Sequence, residues 1–250
     1  MLRFARNDMA QQASNRIMSL RGALQRSNLQ YSGGEYFARN DMSYIRYRIT
    51  FGKGRELRFT GHLDLHRAWE RTLRRARIPL AYSEGYNPRP KINIGAALPL
   101  GCTSEADLID LQLNQEVESA ELAERLAAAA PPGLTISAIA PVAEGSPKLQ
   151  KLITSSEYVI PIPDEDRKQI QARIRAQLAA DKLPRVRRGK EYDLRPLIED
   201  MILLDSLELR LRLAARSGAT GRPDEVLLAL ELDPIPLVPH RVLLILRDLD

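Results

Sequence analysis

Hydrophobic residues along this chain change period in a set order, and that order limits the folds open to it. From Tyr44 to Phe51 they alternate. Tyr47, Ile49 and Phe51 fall on one side and Arg46, Arg48 and Thr50 on the other, the pattern of a strand with one buried face. Gly52-Lys53-Gly54 interrupts the run, and Leu57 to Thr60 reads as a short extended continuation. The period then lengthens: Leu65, Ala68, Trp69, Thr72, Leu73 and Ala76 form one stripe of a helix spanning His62 to Arg77. Thr60 or Gly61 caps that helix, Asp64 suits the positive end of its dipole, and Pro79 closes it.

Strands are predicted over Ile92 to Leu100 and Asp107 to Leu113, then a helix capped by Ser119, then a strand over Leu134 to Ile139. A second round follows. It has a strand over Glu157 to Ile162 and a helix capped by Asp164, with Ile170, Ile174 and Leu178 in register. A connection from Leu183 to Leu204 ends in a strand, and another strand covers Leu207 to Ala214. A short helix over Pro223 to Leu230 and a strand over Val242 to Leu246 complete it. Each round is β-α-β-β-α-β. The expected fold is therefore α+β: two tandem ferredoxin-like halves with antiparallel sheets, residues 42–143 and 152–250, joined by a linker over 144–151. Residues 1–41 stand apart. They repeat the hexapeptide Phe-Ala-Arg-Asn-Asp-Met at Phe4 and Phe37 around a polar stretch, and are expected to be a disordered, non-native leader with Met42 as the true start.

A single cysteine, Cys102, rules out an intramolecular disulfide framework and any cluster needing several thiolates from this chain. With no run of ~20 apolar residues and no secretory signal, a soluble cytoplasmic protein without membrane contact is expected. The formal charge of +5 hides an asymmetry. Residues 42–91 hold 12 Lys+Arg against 4 Asp+Glu, and Arg67, Arg71, Arg74 and Arg75 band the predicted first helix opposite its apolar stripe. Such a band suits a phosphate backbone. No strand carries the closely spaced aromatics that stack single-stranded bases.

Two polar stretches carry the candidate chemistry. Gly61-His62-Leu63-Asp64-Leu65-His66-Arg67 opens the helix, and Ala81 to Lys91 follows it, with Gly85, Pro88 and Pro90 stiffening the loop. Tyr82, Glu84, Tyr86, Asn87 and Lys91 are expected to line a pocket for a polar or anionic ligand, and the two stretches to converge on one accessible hollow. His62 is the weak catalytic candidate, as a hydrogen-bonding or proton-handling residue. His62 and His66 sit four apart, but neither Asp64, Glu84 nor His240 supplies a convincing third ligand, so no metal is expected. In the second half, basic residues around Gly189 are placed to meet an anion, with Asp193 and Arg195 forming a local ion pair.

The strings Leu57 to Arg67, Leu73 to Ala76, Tyr82 to Lys91 and Ala97 to Gly101 resemble a bacterial family of radical-SAM-associated proteins, a domain of unknown function found beside or fused C-terminally to cobalamin-binding-type radical SAM proteins. A weaker likeness runs over Arg188 to Pro196. The resemblance carries His62, Asp64, Arg67, Tyr82, Gly85, Asn87, Pro88, Lys91 and Gly101 onto this chain, with Lys190, Asp193 and Arg195. His66 and Arg89 depart from its pattern. It implies a non-catalytic accessory module of a radical SAM enzyme that binds an anionic substrate, RNA or nucleotide-like, or the partner enzyme itself. The iron–sulfur cluster, S-adenosylmethionine and candidate cobalamin would all lie on the partner, with no cofactor on this chain. The alternative is a stand-alone RNA-binding or RNA-processing protein with His62 as acid/base.

Overall fold

A computed structural model describes residues 44–163, 167–187 and 189–247. The expected leader, residues 1–41, and the expected helix cap Asp164 lie outside them. In chain order the elements are β1 (Ile45–Lys53), α1 (His62–Arg75), β2 (Ile92–Ile94), β3 (Thr103–Leu113), α2 (Ser119–Ala129) and β4 (Leu134–Val142). A short α3 (Leu149–Leu152) leads into β5 (Ile153–Pro161), α4 (Arg167–Ala179), β6 (Pro184–Arg187), β7 (Lys190–Asp193) and β8 (Ile198–Leu203). Then come β9 (Glu208–Arg216), β10 (Ala219–Thr220), α5 (Pro223–Ala229) and β11 (His240–Leu246).

The result is a mixed α+β protein with a mostly antiparallel nine-stranded sheet. In the first half β1 lies between β4 and β3, and β2 pairs with β3, all antiparallel. In the second half β5 lies between β11 and β9, and β8 pairs with β9, again all antiparallel. One parallel contact joins them, His240 opposite Thr103 and Arg241 opposite Ser104, so β11 and β3 make the sheet continuous. β6 and β7 form a separate hairpin.

Alternation and helical stripe meet as the residues dictate. Tyr47, Ile49 and Phe51 share a core with Leu65, Trp69 and Leu73 of α1 and Leu122 and Leu126 of α2. Phe51 meets Trp69 edge to face at 5.0 Å between centroids, the favoured aromatic geometry. A second core joins Tyr158, Ile160, Leu211 and Leu213 to Ile170, Ile174, Val226 and Leu227.

Four local expectations change. Leu57 to Thr60 is not extended. Arg55–Leu57 is a turn of 3₁₀ helix, closed by Arg58 N donating to Arg55 O and Thr60 N to Leu57 O. The predicted strand Ile92 to Leu100 ends at Ile94, because its apolar residues serve different cores: Ile94 packs in the first, Leu98 and Cys102 in the second. Glu118, not Ser119, occupies the cap position of α2. The expected linker ends in packed structure, with Leu149 of α3 buried against Leu108, Ile153 and Leu244. Gly95 permits this, since a Cβ there would stand 2.7 Å from Ile153 Cδ1 and 3.1 Å from Leu149 Cδ2.

Candidate functional site

The two stretches expected to converge lie at opposite ends of the first-half sheet. Lys53, at the end of β1, donates through Nζ to Thr60 O at 2.9 Å and Arg58 O at 3.4 Å, curling the chain into α1 beside Ser104 of β3. α1 then runs back along the sheet and delivers the chain to the far end, where Ile45 pairs with Leu113. There Ala81 N donates to Gln112 O and Lys91 N to Ala81 O, both at 2.8 Å. A 14-residue helix is about 20 Å long, and nine strand residues span about 25 Å, so the shared hollow does not form. The helix itself keeps the two stretches apart.

At the helix start, Gly61 caps with extended backbone and no side-chain bond, and Asp64 pairs with Arg67 at 3.1 Å on the surface. Burial and the neighbouring His66 lower the His62 pKa, with Asp107 opposing them. His66 also faces Glu70 at 3.3 Å, whereas His240 has surroundings of its own, with Thr103 Oγ1 at 2.8 Å and Glu105 at 3.6 Å. Around this start three apolar side chains stand in solvent, Phe59 and Leu63 each 73% exposed and Leu100 61%. Gly101 N donates to Arg58 O at 2.9 Å, which places Leu100 next to this turn.

The loop is a closed hairpin rather than a pocket wall. Tyr82 bridges to Pro90, Ser83 N donates to Arg89 O, Arg89 N donates to Ser83 Oγ, and Gly85 takes φ +116° at the tip. Tyr82, Glu84, Gly85, Asn87 and Pro88 are exposed and Tyr86 is 99% so. Lys91 turns away from them. Its ammonium sits 3.7 Å over the Tyr44 ring, and it lines a shallow hollow of about 350 Å³ with Arg46, Asp110, Gln112 and Lys148.

The second-half residues brace the backbone. Asp193 Oδ1 accepts from Leu183 N at 2.8 Å and Arg195 N at 3.0 Å, and these bonds lower its pKa. The Arg195 guanidinium donates to Leu178 O at 2.9 Å and Ile198 O at 3.0 Å, tying the end of α4 to β8. The expected Asp193–Arg195 side-chain ion pair is thus replaced by a side-chain-to-backbone turn. Lys190 is exposed on the β6–β7 hairpin.

The basic charge of residues 42–91 also divides. Arg46 and Arg48 point to the face of β1 opposite the helices, where Arg48 grips Asp110 through two bonds of 2.8 and 3.0 Å and Arg46 donates to Ser146 O at 2.6 Å. Arg67, Arg71, Arg74 and Arg75 are exposed along the outer side of α1.

Sequence reasoning missed a group of buried charges under the helix start. Lys53, Asp107 and Arg241 are each about 1% exposed. Arg241 donates from Nε to Asp107 Oδ1 at 2.8 Å, again from Nη2, and to Ala96 O at 3.2 Å. Asp107 Oδ2 has no hydrogen-bond partner among the described residues. Burial lowers the Lys53 pKa, with Asp107 the main opposing influence, and pushes the Cys102 thiol up to about 12. The one sequence signal was Asp107 at the head of an apolar alternation. Its partner 134 residues away left none.

Fold and surface together describe a mixed α+β protein with two exposed motif stretches and a charged seam. The chain belongs to the bacterial family described as "Uncharacterized protein conserved in bacteria (DUF2344)", whose model matches residues 46–223 and so takes in most of both halves. No curated protein matches it.

Proposed function

We propose that this chain is a non-catalytic accessory module that docks on a radical SAM enzyme. The observation that carries the reading is the separation of the two motif stretches. Both are exposed, both carry apolar or aromatic side chains in solvent, and about 25 Å of strand lies between them. A small ligand cannot touch both, whereas a protein surface can, and exposed apolar groups of this kind mark protein contacts. Phe59, Leu63 and Leu100 make one contact and the Tyr86 hairpin the other. The radical SAM identity of the partner rests on the resemblance of these same strings. One buried cysteine, Cys102, falls short of the several thiolates a cluster takes, which supports placing the cluster and S-adenosylmethionine on the partner. In this reading the halves are tandem ferredoxin-like units, which the matching strand orders β4-β1-β3-β2 and β11-β5-β9-β8 support.

The alternative, RNA, is favoured by one feature, the exposed arginine band of α1 running between the two stretches. The experiment is co-expression with the radical SAM protein of the same source, followed by affinity capture. Leu63→Asp combined with Tyr86→Ala should cut co-elution at least about tenfold with no change in thermal midpoint. Undiminished co-elution removes the docking assignment. Binding of RNA by the isolated chain, weakening steeply with salt, supports the alternative.

A further inference from the structure

A cavity of about 200 Å³ opens in the seam between the halves, and none of the residues expected from sequence to bind a ligand lines it. Its floor is Arg241, Tyr158 and Ser156, each no more than 2% exposed. Tyr158 lines the cavity together with Ser156 and Arg241. Its mouth is the turn after β9, with Arg216, Ser217 and Thr220. Thr220 Oγ1 donates to Arg216 O at 3.1 Å and fixes that turn. The Arg216 side chain is 56% exposed, with Glu199 approaching it at 3.9 Å. The remaining side is closed by residues 95–97, two of whose carbonyls hold Arg241.

The lining is one-sided in charge. Two arginines, two serines, a threonine and a tyrosine line it and no Asp or Glu does, although each arginine has a carboxylate outside the lining, Asp107 for Arg241 and Glu199 for Arg216. Behind the floor, Lys53, Arg241 and Asp107 are all buried, and Asp107 pairs with Arg241 while the Lys53 ammonium donates to backbone carbonyls. Arg216, 56% exposed with only the 3.9 Å approach of Glu199, has N–H donors to offer an oxyanion. Arg241, whose donors go largely to Asp107 Oδ1, Ala96 O and Ala97 O, adds fixed positive charge behind it. This arrangement suits an oxyanion because charge-assisted bonds from Arg are strong and directional. We propose that this cavity binds a small oxyanion-bearing molecule, a phosphomonoester or a carboxylate of a few carbons, held between Arg216 at the mouth and Arg241 at the floor. The Arg216 side of the site is separate from partner docking, since Ala215, Arg216 and Thr220 lie in neither exposed stretch.

The test titrates the full chain by calorimetry and thermal shift with inorganic phosphate and, separately, acetate, at constant ionic strength. Saturable binding of phosphate alone identifies the phosphomonoester class, of acetate alone the carboxylate class, and of both the shared oxyanion site. Arg216→Gln, at the surface, should weaken that binding about tenfold or more. Ala215→Leu, adding bulk to the wall, should abolish it while leaving co-elution with a partner intact. Binding by neither probe, or binding that survives both variants, overturns the assignment.

Discussion

Cys102 is the chain's one thiol, and its surroundings decide its chemistry. Burial raises it from 9.0 to about 12, so at pH 8 roughly a thousandfold less thiolate is present than the unperturbed group would carry. The native protein should therefore react slowly with a thiol-specific dye and promptly in denaturant. Prompt native labelling would mean the site is open. His62 makes a second prediction with a definite sign. Its folded pKa lies below 6.5, so on acidification the unfolded chain takes the proton first. The contribution is absent above pH 6.5, and stability declines as pH falls from there towards the lowered folded value. Urea midpoints measured between pH 7 and 5 should fall less in His62→Gln than in the wild type, and identical slopes would reject the coupling. At this scale the sequence was partly legible. His62 and Asp64 at a helix start follow from local pattern, whereas the environment that shifts His62 includes Asp107, brought there only by strand pairing.

α1 shows what periodicity can and cannot convey. Leu65, Trp69, Thr72 and Leu73 are buried as the stripe requires, because residues three and four apart share a face. Trp69 is fully buried, so Trp69→Ala should cost about 3–5 kcal/mol, read from denaturant unfolding by circular dichroism. Arg71→Ala on the solvent side should stay within about 0.5 kcal/mol. Asn87→Ala at the hairpin tip should likewise leave the thermal midpoint in place, since the residue is exposed. A marked drop there would make the loop part of the framework rather than a docking arm. Where pattern failed, one stretch was serving two masters. Ile92 to Leu100 has the apolar content of a strand, but Ile94 and Leu98 belong to different cores, and a window of sequence cannot say that a run will be divided. The expected pocket failed for a related reason: a helix laid along a sheet carries its two flanking segments to opposite ends.

The mixed α+β class with mostly antiparallel strands was legible in the sequence, but the way the halves join was not. β11 closes the second half and also lies parallel to β3 of the first, and beside that contact Arg241 meets Asp107 out of water. Removing one member of a buried pair leaves the other charge without its partner, which typically costs about 3–5 kcal/mol. The halves are thus mechanically linked through a contact whose loss both should feel. Trp69, the single tryptophan, reports on the first core alone, whereas far-UV circular dichroism reports on both halves. In urea the two signals should trace one transition with a common midpoint. Arg241→Ala, a change in the second half, should lower the midpoint seen by Trp69, although the two residues belong to different halves. Separate transitions, with the Trp69 midpoint indifferent to Arg241, would mean that the continuous sheet transmits no stability across the seam.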